Sequence, residues 1–174
     1  MIVQETKLAG VLLIKPEPAG GGKGEIFEDA RGLFLETYHE SKYKDQGIGI
    51  HFVEDDISVS RKDVLRGIHG NNETWKLVSC TSGKIFFVAV NCDEASPEFG
   101  KWESFDLDDV NHWQVLVPPR HGSAYLALSD TVVFQYKQST HYAPKSQFSF
   151  RWDDPRFNIR WPVDKPILSA RDAT

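Results

Sequence analysis

The residues best able to do chemistry in this sequence are polar side chains that stand in phase with apolar ones in short segments. A strand alternates its side chains between two faces, so residues two apart share one environment. In Val132-Val133-Phe134-Gln135-Tyr136-Lys137 that period puts Tyr136 on the face of Val132 and Phe134, pointing inward. In Trp75-Lys76-Leu77-Val78-Ser79-Cys80 it puts Lys76 with Val78 and Cys80, and both faces of this segment are largely apolar. A buried ammonium is costly unless it meets an anion, so an inward Lys76 requires an anionic partner. The commoner alternative on pattern alone is a strand-end lysine that snorkels to water. Val64-Leu65-Arg66-Gly67-Ile68-His69-Gly70 sets Arg66 and His69 three residues apart, with His69 at a strand end where a pocket mouth would lie. There it is either a base or the more frequent structural histidine. Metal binding needs two or three converging ligands, and His69, His112, His121 and His141 form no HxH or HxxxH pair. The sequence has no GxSxG elbow, Walker loop or GxGxxG, and the glycine-rich run at 20–24 lacks the Lys-Ser/Thr and helix of a phosphate cradle.

The elements that must position these residues are strands. Short runs rich in Val, Ile, Phe, Tyr and Trp recur between turn residues at the spacing of an all-β sandwich or barrel. LAGVLLIKPEP reads as the opening strand, stopped by two prolines. GGGKGEIFEDARG reads as a connection and GLFLETYH as the second strand. IHFVEDDISVS, VLRGIHG, TWKLVSC, KIFFVAV, WESFDL, HWQVLVPP, AYLALS, TVVFQYKQS and QFSFRW follow, with turns at Thr81-Ser82-Gly83 and Ser129-Asp130. Only HESKYKDQG, residues 39–47, reads as helix. The proline-bearing tail from Asp153 should wrap the domain, with Trp152, Phe157, Ile159 and Trp161 as anchors. The pattern predicts an all-β, double-sheet jelly roll or open barrel with an interior pocket.

A chain of 174 residues and 19.7 kDa suits a single domain over 1–174, and 40% hydrophobic residues supply a core. A net charge of −5 argues against general nucleic-acid or anionic-membrane binding, while leaving room for a small basic pocket. Cys80 and Cys92 make no disulfide framework or metal knuckle. The opening MIVQETKLAG has no signal-peptide pattern and no apolar run reaches 18 residues, so a soluble cytoplasmic protein is expected.

Seven segments occur together in the order of a known family: Arg31-Gly32-Leu33-Phe34-Leu35-Glu36, Val64 to His69, Lys76-Leu77-Val78, Ser96-Pro97-Glu98-Phe99-Gly100, Tyr136-Lys137 with Tyr142, Trp152-Asp153-Asp154-Pro155, and Ile167 to Asp172. Over almost its whole length the sequence resembles the dTDP-4-dehydrorhamnose 3,5-epimerase family of nucleotide-sugar epimerases. The resemblance implies a cupin-type jelly roll working without metal or other cofactor. It also implies a nucleotide-sugar substrate and a homodimer whose N-terminal strands reach across to the partner. Carried onto these positions, His69 is the base that abstracts a proton beside the sugar's carbonyl. Asp172 orients its imidazole, Lys76 faces the enolate oxygen, and Tyr136 returns a proton from the opposite face. Arg66 and Arg31 match diphosphate-binding positions, and Glu36 one near the nucleotide of the neighbouring subunit. Tyr142, Ser58 and Asn71 complete the substrate-binding candidates.

The sequence also departs from the family pattern. His69 is followed by Gly70-Asn71 where the family reads RGLHxQ, and a second pocket histidine is replaced by Ser123, with His121 two residues earlier. A familiar aspartate is replaced by Phe87. The Arg66-Gly67-Ile68-His69-Gly70 segment with its short loop to Lys76-Leu77-Val78, and the Pro118-Pro119 pair before Gly122, look more like the branch acting on GDP-4-keto-heptoses for capsule polysaccharide, at C3 alone or at C3 and C5. The competing readings are a sugar-nucleotide 3,4-ketoisomerase, a non-catalytic sugar-nucleotide-binding cupin and a metal-dependent cupin.

Overall fold

The structure, a computed structural model, describes residues 1–20 and 24–173. The sequence reading of the run at 20–24 therefore falls partly outside the described residues. Two antiparallel sheets face each other. One is six-stranded, with β1 (Ile2–Glu5), β2 (Leu12–Lys15), β10 (Gln114–Val117), β7 (Lys76–Ser82), β12 (Thr131–Gln138) and β5 (Glu54–Arg61) in that spatial order. The other is five-stranded, in the order β13 (Gln147–Ser149), β6 (Leu65–Asn71), β11 (His121–Ala127), β8 (Lys84–Asn91) and β9 (Trp102–Asp108). From β5 to β8 successive strands alternate between the sheets, which gives the jelly-roll path.

The facing sheets bury one apolar layer that includes Val78, Cys80, Phe87, Val115 and Phe134. The outer faces are also covered. α1 (Glu40–Asp45) and the chain after it lay Tyr43 and Ile48 on Ile14, Leu77 and Leu116. The tail lays Phe157, Ile159 and Trp161 on Ile68, Val88 and Val90, and Trp161 Nε1 donates to the Trp152 carbonyl at 2.8 Å. Cover on both faces explains why β7 and β8 are apolar on both sides, where a half-exposed strand would alternate.

The amino-terminal elements differ from the sequence reading. The segment from Leu8 holds β2, which stops before Pro16, but a strand absent from the sequence reading, β1, precedes it and pairs with it as a hairpin. The four residues of β1 are too short to carry a readable period. The glycine-rich connection contains β3 (Ile26–Asp29), which pairs with β4 (Gly32–Leu35). Asp29 Oδ1 accepts from the Arg31 amide at 2.8 Å and closes that turn. β1 and β2 complete the chain's own six-stranded sheet, whereas β3 and β4 form a separate two-stranded sheet, bridged at Ile26 to Pro18, and expose Phe27, Leu33 and Phe34.

Candidate active site

A cavity of about 360 Å³ opens between the sheets, walled by Asp56, Ser58, Lys76 and Tyr136 from the six-stranded side and by Arg66, His69, Ser123 and Tyr125 from the other. Ser169, Arg171 and Asp172 from the tail complete it.

Two glycines let β6 present its side chains. Gly67 has φ +116°, and a Cβ there would come within 2.7 Å of the Ala124 Cα. A Cβ on Gly70 would overlap the Phe148 ring and approach the His121 carbonyl. The backbone between Arg66 and His69 thus packs tightly against β11 and β13.

His69 is half-buried, and its Nε2 lies 2.6 Å from Asp172 Oδ1. Burial raises the affinity of Asp172 for a proton, but hydrogen bonds from His69 and Ser169 outweigh it and hold the carboxyl below its ordinary value. Ser169 Oγ donates to Asp172 Oδ2 at 2.8 Å and accepts from the Asp172 amide. With Nε2 occupied by the carboxylate, Nδ1 is the nitrogen that can accept a proton.

Lys76 resolves toward the buried reading. It lines the cavity with its Nζ 5.9 Å from the Tyr136 ring centre, and burial pulls its ammonium down to about 8. Arg171 pushes the same way and Asp56 opposes. Tyr136 stands opposite Asp56 on β5 and Val78 on β7. Burial, then the Asp56 and Glu54 charges, push its phenol up to about 12. The base and the phenol therefore come from opposite sheets, with an ammonium on the phenol's side. That arrangement can take a proton from one face of a bound carbon and return one to the other, while a cation stabilises charge on a neighbouring oxygen.

The other sequence candidates divide. Ser58 and Arg66 line the cavity, and Tyr142 stands at its mouth beside Glu54, half exposed. Asn71 is not brought to it: its amide donates to Ser146 Oγ and accepts from the Glu73 amide, holding a loop. Arg31 lies on the β3–β4 hairpin paired with Asp29, its side chain 90% exposed. Glu36 pairs with Lys42 at 2.6 Å, under the N-terminal strands. Within one chain neither reaches the cavity. Ser123 lines the wall and Phe87 its floor, while His121 bonds the Pro119 carbonyl through Nδ1, outside the cavity lining. Sequence reasoning missed Asp56, Ser60 and Tyr125. The signal lay in the alternation of Glu54, Asp56, Ser58 and Ser60, one polar face of β5. Among the described residues no three His, Cys, Asp or Glu side chains gather as a metal site, and no helix is long and apolar enough to cross a membrane.

Comparison with known proteins decides the family. The family model for dTDP-4-dehydrorhamnose 3,5-epimerase matches residues 5–174. The chain belongs to the dTDP-4-dehydrorhamnose 3,5-epimerase family. It is 37% identical to the dTDP-4-dehydrorhamnose 3,5-epimerase of Salmonella typhimurium, over 99% of this chain and 93% of that protein. The crystal structure of dTDP-6-deoxy-D-glucose-3,5-epimerase from Legionella pneumophila in complex with dTDP-4-keto-L-rhamnose is similar at TM-score 0.89 and 34% identity, covering 99% of this chain and 89% of that one. A 3′-monoepimerase from Streptomyces bikiniensis, solved with dTDP-quinovose, is similar at TM-score 0.86 and 29% identity, covering 97% and 83%. Membership makes the chain a nucleotide-sugar isomerase of the epimerase class with a cupin jelly roll, as the motifs implied.

Proposed function

We propose that this chain epimerises a dTDP-linked 4-keto-6-deoxy sugar at C3, and at C5, by proton transfer through an enolate. The observation that carries the reading is the pairing of His69 with Asp172 on one side of the cavity and Tyr136 on the other. The hydrogens beside the sugar's C4 carbonyl are its acidic ones. His69 Nδ1 takes the proton from C3, and the bonding electrons move onto the carbonyl oxygen. Asp172 stabilises the imidazolium that results. The Lys76 ammonium receives the enolate oxygen, and this is the anionic partner its burial requires. Tyr136 then donates its proton to the opposite face of C3 and inverts that centre.

The diphosphate belongs at the mouth beside Arg66, whose guanidinium offers a planar pair of donors. Arg31 and Glu36 act at the site of a second copy. They lie away from their own chain's cavity, and Arg31 rides on a two-stranded hairpin that, among the described residues, joins neither main sheet. The assembly is then a homodimer joined through its N-terminal strands. A GDP-linked 4-keto-6-deoxy-heptose is the second substrate to test, because the Arg66–Gly70 segment and the Pro118-Pro119 pair before Gly122 resemble that branch.

Proton NMR in D₂O with dTDP-4-keto-6-deoxyglucose and a GDP-4-keto-6-deoxy-heptose tests the reading. Enzyme-dependent loss of the C3 signal, with or without C5, is the expected result and ranks the two nucleotides. A carbonyl that migrates to C3 would instead make the chain a ketoisomerase, and no exchange with either sugar would reject the epimerase reading.

A further inference from the structure

Tyr125 is almost fully buried in β11, its ring stacked on Phe134 with centroids 4.4 Å apart. Its hydroxyl lies 2.8 Å from Ser58 Oγ and 2.9 Å from Ser60 Oγ, and so ties the five-stranded sheet to edge strand β5 of the other. Ser60 Oγ in turn accepts from Arg66 Nε at 3.0 Å. Counting protons gives the run a direction. A guanidinium nitrogen only donates, so Ser60 is the acceptor there. Ser60 is buried, and among the hydrogen bonds of the described residues the Tyr125 oxygen is the acceptor its proton can reach. Tyr125 must then send its own proton to Ser58. Ser58 Oγ accepts it and keeps its proton for the cavity that Ser58 lines. The chain begins at a cation and ends in a free O–H, each bond polarising the next.

The same run fixes Arg66. With Nε tied back to Ser60, the two terminal nitrogens are the donors left to face the cavity mouth. Arg66 and Ser58 thus turn donors toward the mouth, which match anionic oxygens, while the Asp56 carboxylate lines the same cavity. We infer that Tyr125 is a positioning residue which, through Ser60 and Ser58, sets the Arg66 guanidinium and the Ser58 hydroxyl as paired donors for the diphosphate of the nucleotide sugar. The inference rests on the nucleotide-sugar reading above.

Tyr125→Phe keeps the ring and its stacking and removes only the oxygen. Calorimetry on the full chain with dTDP and with GDP, and steady-state kinetics with the 4-keto sugar that is turned over, give separate readouts. The expected result is a rise of roughly three- to tenfold in both the nucleotide Kd and the sugar KM, the size of one or two polarised hydrogen bonds. The kcat stays within about twofold, because the lost contacts serve ground state and transition state alike. Ser60→Ala cuts the run at its next link and must move the same constants. Arg66→Lys lacks Nε, so its loss should be smaller in the Tyr125→Phe background than in the wild type. An unchanged Kd in Tyr125→Phe at wild-type Tm, or strictly additive losses with Arg66→Lys, overturns the inference and leaves the epimerase reading standing. If the wild type binds nucleotide and turns over neither sugar, the epimerase reading fails and the Kd still judges the relay. A wild type that binds neither dTDP nor GDP rejects both.

Discussion

Replacing Asp172 by asparagine changes one atom of the catalytic pair and should cost the enzyme most of its proton abstraction. The carboxylate is 5% exposed, with Oδ1 2.6 Å from His69 Nε2 and Oδ2 accepting from Ser169. In Asp172→Asn the Ser169 hydroxyl keeps the amide oxygen at the Oδ2 position and turns the NH₂ toward Nε2. An imidazole that accepts at Nε2 carries its proton on Nδ1, the nitrogen that must act as base. The charge that steadies the imidazolium is lost as well. A hydrogen bond to a charged group contributes about 1.5–3 kcal/mol. A full charge pair about 4 Å apart at an effective dielectric of 20 is worth about 4 kcal/mol. A loss of about 2–4 kcal/mol corresponds to roughly 30- to 1000-fold in rate. The assay is deuterium incorporation at C3 followed by NMR, with nucleotide Kd and Tm as controls for binding and folding. Exchange within about threefold of wild type, at unchanged Kd and Tm, would refute the role given to Asp172 and with it the choice of Nδ1.

Three other perturbations test the rest of the site. Lys76 must be charged to hold an enolate and burial pulls it down to about 8 in the free protein, so kcat/KM should fall as pH rises past that value, by about tenfold per pH unit. Tyr136, pushed to about 12, stays protonated over the same range, and Lys76→Gln should abolish the descending limb. Tyr136→Phe should leave C3 exchange within about fivefold of wild type while formation of inverted product falls at least a hundredfold; equal losses in the two measurements would take the donor role from Tyr136. Gly70→Ala forces a methyl into the Phe148 ring and should destabilise the fold by about 1–3 kcal/mol, read as a lowered denaturation midpoint with unchanged slope.

The sequence carried the strand-rich class, the helical turn after His39, the wrapping tail and the inward phase of Tyr136, because each follows from local period and turn chemistry. Its motif order carried the family. Period left Lys76 and His69 open, since a residue flanked by apolar neighbours can meet either a partner or water. Packing placed both: the tail brings Asp172 from the far end of the sequence to His69, and Lys76 lines the cavity between the sheets beside Tyr136.

β5 shows where pattern misleads. Ile57 and Val59 are 67% and 60% exposed, while Asp56, Ser58 and Ser60 face the interior. An apolar/polar alternation records which side chains share a face, and only the partner strands decide which face encloses a polar cavity. The same limit applies to Arg31, Glu36 and Asn71, whose place in a motif says nothing of the distance to the site. Periodicity is a property of one strand, and it was determined by the sequence. The convergence of His69, Lys76, Tyr136 and Asp172 depends on two sheets and a tail meeting in space, and only the tertiary structure decides that.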